Sequence, residues 1–479
     1  MDVALTDIEA FRSALAREVG LRFEDDKLPL LGEVLATRMR RSDSRSAAAY
    51  VARLDASELA EVARTITVSE TYFLRNREQF AAVDAIVRAR EAAGVRHLRM
   101  LSAGCSTGEE AYSLAITVCE ALRDRGPWRI SIVGVDLNPT VLEKARVASY
   151  SSWALRDTPE PIARRYFTQE RGRHVLRDDV REMVRFEAQN LRQPSPGFWR
   201  PEAYDIVFCR NVLMYFTPDA TAEIVAGIAR SLAPGGHLFL GHAENLRGLS
   251  QAFHLRHTHD TFYYERKGGP PLVPEVPPEP ARTDPSWPDA IDRASRRIEE
   301  LATVSAPVAA AEAPRRDLAA VLGLVQRERF RDALAVLDDA PPTADADALL
   351  LRAMLLVSTG DLEAAERACE ALLRIDDLHA GAHYVMALCR EHDGDGTGAI
   401  EHSRAAAYLD GDFAMPHLQL GRLARRSGDV EAARRELSLA LGLLPREDAA
   451  RILLFGGGFG REALVQLCRA ELLACGGAR

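Results

Sequence analysis

Residues 101–113 read Leu-Ser-Ala-Gly-Cys-Ser-Thr-Gly-Glu-Glu-Ala-Tyr-Ser, and this stretch decides the fold. It follows a short apolar run, Leu98 to Leu101. It leads into apolar positions at helical spacing: Ala111, Leu114, Ala115 and Val118. A strand, a glycine-bearing turn and a helix N-terminus is how an α/β protein makes a small-ligand cradle. Gly104 and Gly108 let backbone approach a ligand closely and take positive φ. No Lys followed by Ser or Thr is present, so the loop is not the phosphate-gripping kind. Its polar groups are two carboxylates, Glu109 and Glu110, which repel a pyrophosphate and suit a cationic or hydroxyl-rich ligand.

Working outward, Arg129 to Val135 (RISIVGV) has the pattern of a buried strand and ends at Asp136. A carboxylate at the tip of the second strand, one crossover after the glycine turn, is placed to accept both hydroxyls of a ribose. The spacing from Gly108 to Asp136 suits one βαβ unit. S-adenosylmethionine, with its ammonium, sulfonium and ribose diol, fits these acids. A third strand-like run, Tyr204 to Cys209, opens into Arg210-Asn211-Val212-Leu213-Met214-Tyr215-Phe216, whose polar groups would line the same crevice. Further strands are expected at His237 to Gly241, after Pro234-Gly235-Gly236, and at Asp260 to Arg266; these two suit an antiparallel hairpin closing the sheet.

At 479 residues the chain predicts about two to four domains. A hydrophobic content of 47% supports a real core, and a net charge of -9 argues against nonspecific nucleic-acid binding. The seven cysteines form no CxxC pair, so neither a disulfide scaffold nor a zinc site is expected, and no metal. His254, His257 and His259 read as surface. No run reaches membrane-spanning length and no signal-peptide core is seen, so the expectation is a cytoplasmic protein without membrane insertion.

Residues 1–75 read as a helical domain, with Ile8, Phe11, Leu15 and Val19 at helical spacing. Five arginines and one acid, Asp43, fall between Arg38 and Arg53. This basic face is either a solvated helix surface or a docking face for an acidic partner. Residues 76–267 carry the α/β pattern. Residues 268–316 read as a linker, with eight prolines between Pro270 and Pro288 and room for a short helix at Ile291 to Leu301. Residues 317–447 repeat with a period of 34: Gly360-Asp361, Gly394-Asp395 and Gly428-Asp429. Five residues after each Gly stands Ala365, Ala399 or Ala433, and seven before it Ala353, Ala387 or Gly421. Such register-locked small residues resemble tetratricopeptide repeats, with a degenerate pair upstream at Leu318 to Leu337. Residues 448–479 form a tail that would cap the array or dock elsewhere.

With these pieces in place, residues 5–267 closely resemble the CheR-type chemotaxis receptor methyltransferases. The resemblance rests on ordered motifs: Thr67-Val68-Ser69-Glu70-Thr71-Tyr72-Phe73-Leu74-Arg75, the 103–113 loop, Asp136 with Leu142-Glu143-Lys144-Ala145-Arg146, Asn190-Leu191, and Phe208-Cys209-Arg210-Asn211-Val212. It implies a Rossmann-like α/β methyltransferase domain between a small helical domain and an all-α repeat array. It also implies methyl transfer from S-adenosylmethionine, leaving S-adenosylhomocysteine, to glutamates on the cytoplasmic helical bundle of chemoreceptors. By resemblance Glu109 meets the amino group of the cofactor and Asp136 its ribose, beside the Gly104 turn. Asn190, Leu191, Asn211 and Val212 contact the nucleoside, and Thr71 and Arg75 close over the methionine end. Ser69 stands where several relatives have Asn. Arg75 and Tyr215 are the candidates to orient the acceptor carboxylate, by a guanidinium fork and a hydroxyl. Arg75 could instead contact only the cofactor or pair with Glu78, and Tyr215 could pack in the core. Tyr112 reads equally as a cofactor-side ring or as core. The family also favours Arg38, Arg40 and Arg41 as a receptor-docking face, the repeats as a site for a further protein partner, and recruitment to receptor arrays at the inner membrane. Two other readings stay open: a cofactor-binding scaffold acting through its repeats, and a methyltransferase for another protein or a small molecule.

Overall fold

The computed structural model describes residues 3–44, 46–66, 70–122, 128–268, 318–325, 327, 329–338 and 345–476. Ser69, nearly all of the 268–316 linker and the helix expected at 291–301 lie outside them. The chain divides into two compact units, Met1–Asn245 with Ala252–Pro277, and Leu246–Gln251 with Pro278–Arg479.

The first unit opens with four helices: α1 (Leu5–Glu18), α2 (Leu28–Arg41), α3 (Ala47–Val51) and α4 (Ala56–Ile66). Pro29 stands in the first turn of α2, where its missing N–H costs nothing. Phe11, Leu15, Leu31, Leu35 and Tyr50 fill the core between these helices. Arg38 lies on the buried face of α2 and is only 9% exposed. Its guanidinium binds both oxygens of Glu58 at 2.7 and 2.8 Å and meets Glu61 at 3.2 Å. The docking expectation therefore fails for Arg38, whose fork is consumed inside the helical core; Arg40 and Arg41 are exposed.

A fifth helix, α5 (Arg77–Ala92), leads into the sheet: β1 (His97–Ala103), α6 (Glu109–Ala121), β2 (Arg129–Asp136) and α7 (Pro139–Val147). A small excursion follows, β3 (Ser149–Tyr150), α8 (Glu160–Tyr166), β4 (Phe167–Glu170), β5 (Arg173–Leu176) and α9 (Asp178–Arg181). Its strands make a separate sheet, in the order β3-β5-β4, that sequence reading missed because each strand is so short. The chain then returns through β6 (Val184–Ala188), β7 (Tyr204–Cys209), α10 (Pro218–Ser231), β8 (Leu232–Leu240), β9 (Phe253–Thr258) and β10 (Thr261–Arg266).

The main sheet runs β6-β2-β1-β7-β8-β10-β9. The first five strands are parallel, with Leu101 opposite Val133 on one side and Val207 on the other. Strand order reverses at β1, so a crevice opens past the carboxyl ends of β1 and β7. The hairpin that closes the sheet is β9–β10, with β10 antiparallel to β8, rather than β8–β10. Strand β9 was hidden by its histidines and arginine: it is an edge strand with only Phe253 fully buried. The core includes Leu98 and Met100 of β1, and Phe73 sets its ring edge-on to Tyr150 and Phe167 at 4.8 and 4.9 Å.

The second unit is a stack of helix pairs of tetratricopeptide type: α11 (Leu318–Val325) with α12 (Phe330–Asp338), α13 (Ala346–Thr359) with α14 (Leu362–Ile375), α15 (Ala380–His392) with α16 (Gly396–Leu409), and α17 (Ala414–Ser427) with α18 (Val430–Leu443). Each Gly-Asp has a mechanical reason. Gly360, Gly394 and Gly428 take φ near +80°, ending the first helix of a pair. Asp361, Asp395 and Asp429 then cap the second, accepting backbone N–H groups at 3.1, 2.9 and 3.0 Å. Ala353, Ala387 and Gly421 are buried, as are Ala365, Ala399 and Ala433. Two further helices follow, α19 (Ala449–Phe455) and α20 (Arg461–Ala474). Phe455 of α19 packs on Tyr384 and Phe413, and Arg451 pairs with Asp410 at 2.7 Å.

Candidate functional site

The turn after β1 is shaped by Gly104, at φ +78°, whose N–H is donated to the Val135 carbonyl at 2.8 Å. A Cβ there would lie 2.4 Å from Val212 Cγ2, so only glycine lets the two loops meet. Asp136 ends β2 beside this turn. Its carboxylate accepts the Ser106 N–H at 2.9 Å and the Asn138 N–H at 2.8 Å, which fixes its direction and leaves lone pairs for a ligand. Burial pushes its pKa up, against the pull of those N–H donors.

The two glutamates that open α6 part company, because successive helical residues point about 100° apart. Glu109 turns inward: it is buried and takes the Thr107 hydroxyl at 2.6 Å. Desolvation raises its pKa to about 7. Glu110 turns toward the cleft and lines it. Its carboxylate accepts the Ser102 hydroxyl at 2.7 Å and faces the Arg210 guanidinium at 3.5 Å; burial raises its pKa and Arg210 pulls it back. The expected contact at Glu109 is thus placed one residue too early. Arg210, which lies on the stretch expected to line the crevice but was assigned no contact, is buried at the cleft and donates to the Arg75 carbonyl at 2.7 Å.

The loop after β7 carries Asn211, Val212, Met214 and Tyr215 into the cleft. Asn211 sits at φ +56°. The loop is gathered by one side chain that sequence reading did not single out, the buried carboxylate of Glu244. It accepts four backbone N–H groups: Asn211 at 2.7 Å, Gly241 at 2.8 Å, Val212 at 2.9 Å and Met214 at 3.3 Å. Tyr215 is 39% exposed at the cleft rather than packed in the core. Tyr112 belongs to the core, its hydroxyl donated to the Ala145 carbonyl at 3.0 Å.

The N-terminal segment closes the other side with Thr71, Tyr72 and Arg75. Arg75 lies between two left-handed residues, Leu74 at φ +56° and Asn76 at φ +62°. A leucine there is uncommon and marks a turn held by its surroundings; the Leu74 N–H donates to the Ser113 hydroxyl at 2.9 Å. Glu78, the expected alternative partner of Arg75, lies 3.1 Å from His242 instead. A one-residue bridge, Leu21 to Phe216, and the Arg22 N–H on the Tyr215 carbonyl at 2.8 Å tie the segment after α1 to the β7 loop. Asn190 joins in, donating to the Glu18 carbonyl at 3.3 Å.

The result is one cleft of about 340 Å³. It brings together Thr71, Arg75, Gly104, Asp136, Asn190, Leu191, Asn211, Val212 and Tyr215, along with Glu110 and Arg210. It leaves out Glu109, while Arg38, Arg40 and Arg41 lie on α2 outside it. The residues fit S-adenosylmethionine. A buried acid, Glu110, suits an ammonium, Asp136 with its free lone pairs suits a ribose diol, and Arg75 suits a carboxylate. The apolar Leu191 and Val212 suit the faces of a base.

Fold and cleft together define an S-adenosylmethionine-dependent methyltransferase. Comparison with known proteins gives the family. Residues 69–262 match the model of the CheR methyltransferase, SAM binding domain. Chemotaxis protein methyltransferase 2 of Vibrio cholerae is 32% identical over 275 residues, 55% of this chain and 94% of that protein. Chemotaxis protein methyltransferase Cher2 of Pseudomonas putida is 31% identical over 279 residues, 56% of this chain and 100% of that protein. A protein described as "Probable biofilm formation methyltransferase WspC" of Pseudomonas putida is 29% identical over 442 residues, 89% of this chain and 96% of that protein. The chain belongs to the CheR family of chemotaxis methyltransferases.

Proposed function

We propose that this protein esterifies glutamate side chains on the cytoplasmic helical region of a chemoreceptor, as the adaptation enzyme of a chemosensory pathway. The observation that carries the reading is the make-up of the cleft. Two acids that suit the cofactor, Glu110 at the start of α6 and Asp136 at the tip of β2, share the cleft with Arg75, which suits the carboxylate of either reactant, and with the exposed Tyr215, a hydroxyl for an incoming carboxylate.

The chemistry asks for position rather than proton transfer. Bound S-adenosylmethionine supplies an already activated methyl group on its sulfonium. The acceptor glutamate is ionised at neutral pH without help. Glu110 and Asp136 hold the donor's two ends, Gly104 and Val212 set how closely the loops approach it, and Arg75 with Tyr215 orients the acceptor oxygen. Holding both reactants in line supplies about 7–11 kcal/mol in favourable cases.

In this reading residues 1–75 dock the receptor, 76–267 perform the transfer, 317–447 recruit a protein partner and 448–479 cap the array. The basic docking face is carried by Arg40 and Arg41, now that Arg38 is seen to be internal. Such charges act on encounter and register more than on affinity. Among the described residues no helix is long and apolar enough to cross a membrane, which suits an enzyme recruited to receptor arrays from the cytoplasm. The match to the biofilm formation methyltransferases spans the repeats, and it supports a receptor whose output is surface attachment.

The test is incubation of the full chain with methyl-labelled S-adenosylmethionine and a receptor cytoplasmic fragment. Base-labile label on glutamates is the expected result. Its absence at saturating cofactor counts against the reading, and cofactor binding without turnover would favour the scaffold.

A further inference from the structure

Among the described residues of the first unit, large apolar side chains more than a third exposed are few: Leu5, Leu30, Val147, Trp153, Met214 and Tyr215. Met214 and Tyr215 sit at the cleft. Trp153 is 66% exposed, on the turn Ser152–Leu155 between β3 and α8. Nothing in the catalytic reading uses it. An exposed indole adds little to stability, and its large rigid face with a polar N–H is suited to contact with a partner.

Trp153 is nevertheless fastened to the cleft. The Arg156 guanidinium carbon lies 4.3 Å from the Trp153 ring centre and 3.6 Å from that of Tyr72. Tyr72 lines the cleft, and the Arg75 guanidinium lies 5.7 Å from the same ring. The backbone is tied as well: the Phe73 N–H donates to the Ala154 carbonyl at 2.9 Å, and Arg156 donates to the Trp153 carbonyl at 2.9 Å. A continuous ledge therefore runs from the reacting pocket outward, in the order Arg75, Tyr72, Arg156, Trp153. Arg156 pairs with Glu70 at 3.9 Å, an acid that is mostly exposed. With its guanidinium against the Tyr72 and Trp153 rings and Nη1 donated to the Trp153 carbonyl, Arg156 keeps its Nη2 edge, where Glu70 stands 3.9 Å away, for an incoming carboxylate. Trp, Tyr and Arg in a fixed stack are also the residue types that anchor protein interfaces, because little side-chain freedom is lost on binding.

We infer that this ledge is a second contact for the methyl acceptor, and that it selects an acidic helix with an apolar face. The reacting carboxylate enters beside Arg75. A neighbouring carboxylate about one turn along, about 5.4 Å away, meets Arg156, and an apolar side chain covers Trp153. This rests on the proposed glutamate methylation and adds what the enzyme reads around the target.

The experiment uses the full chain with labelled cofactor and a receptor cytoplasmic fragment. Trp153→Ala and Arg156→Lys are compared with wild type, and Trp153→Phe serves as the conservative replacement. The expected result is a KM for the acceptor raised about tenfold in the first two, with kcat at saturating acceptor and affinity for S-adenosylhomocysteine both retained, and with Trp153→Phe close to wild type. A wild type that methylates the fragment, matched in KM by Trp153→Ala, overturns the ledge alone. A wild type that methylates no glutamate overturns the parent reading and the ledge with it.

Discussion

Glu244→Gln is the sharpest probe of how the cleft is held. The carboxylate gathers four backbone N–H groups, two on each oxygen: Asn211 and Gly241 on Oε2, Val212 and Met214 on Oε1. The amide keeps the shape but turns one oxygen into a donor, so two N–H groups face N–H. Hydrogen bonds to a charged partner contribute about 1.5–3 kcal/mol each, so the lower bound for two is about 3 kcal/mol. Relaxation of an exposed loop recovers part of this. If a ligand must then order Asn211 and Val212 on binding, about 1.4–3 kcal/mol appears as roughly ten- to a hundredfold weaker affinity. The assay is calorimetric titration of S-adenosylhomocysteine, with circular dichroism and a urea midpoint to show that the fold persists. Glu244→Asp, one methylene short, should fall between. A Glu244→Gln protein that binds within a factor of two of wild type would refute the argument that this carboxylate positions the loop.

Other expectations follow from burial and charge. Glu109, its pKa raised by burial to about 7 from the ordinary glutamate value of 4.5, holds its proton in the folded state where the unfolded chain has lost it. Its stabilising term is thus complete below about pH 4.5 and fades as pH rises through about 7, by as much as ~3 kcal/mol. Glu109→Gln should therefore gain stability over wild type between pH 5 and 8 in urea titrations, and a gap independent of pH would contradict this. Arg38→Ala breaks the enclosed Glu58 pairing and should cost about 3 kcal/mol in unfolding free energy, against little for Arg40→Ala or Arg41→Ala. The reverse holds for function: Arg40→Glu with Arg41→Glu should raise the acceptor KM while leaving cofactor affinity alone. In the repeats, a Cβ at Gly421 would lie 2.5 Å from Leu437 Cγ, so Gly421→Ala should destabilise the array by about 1–3 kcal/mol and leave S-adenosylhomocysteine binding unchanged.

Where local chemistry decides structure, the chain could be read directly. The glycine turn at 104–108, the acid closing β2 and the Gly-Asp caps each follow from one residue type in one backbone setting, and the structure places them as expected. Where long-range packing decides, reading stopped short. Nothing local tells Glu109 from Glu110; which of them faces the cleft depends on the phase of α6 against β1. Arg38 looked like its neighbours Arg40 and Arg41, because its partners Glu58 and Glu61 come from another helix. Glu244 stands 30 to 33 residues from the Asn211, Val212 and Met214 N–H groups it gathers, in a stretch with no motif of its own. The short strands β3 to β5 and the polar edge strand β9 lack the apolar alternation that gave away the central strands.

The reaction that defines this protein's proposed role is methyl transfer to glutamate carboxylates of an acidic helical receptor. The direct measurement is label transfer from methyl-labelled S-adenosylmethionine to a receptor cytoplasmic fragment, with mild base releasing the label as methanol, run alongside Asp136→Ala and a fragment whose target glutamates are alanine. Base-labile label is expected with wild type and intact fragment, and none with either variant. Label that resists base, or that persists on the alanine fragment, would contradict it.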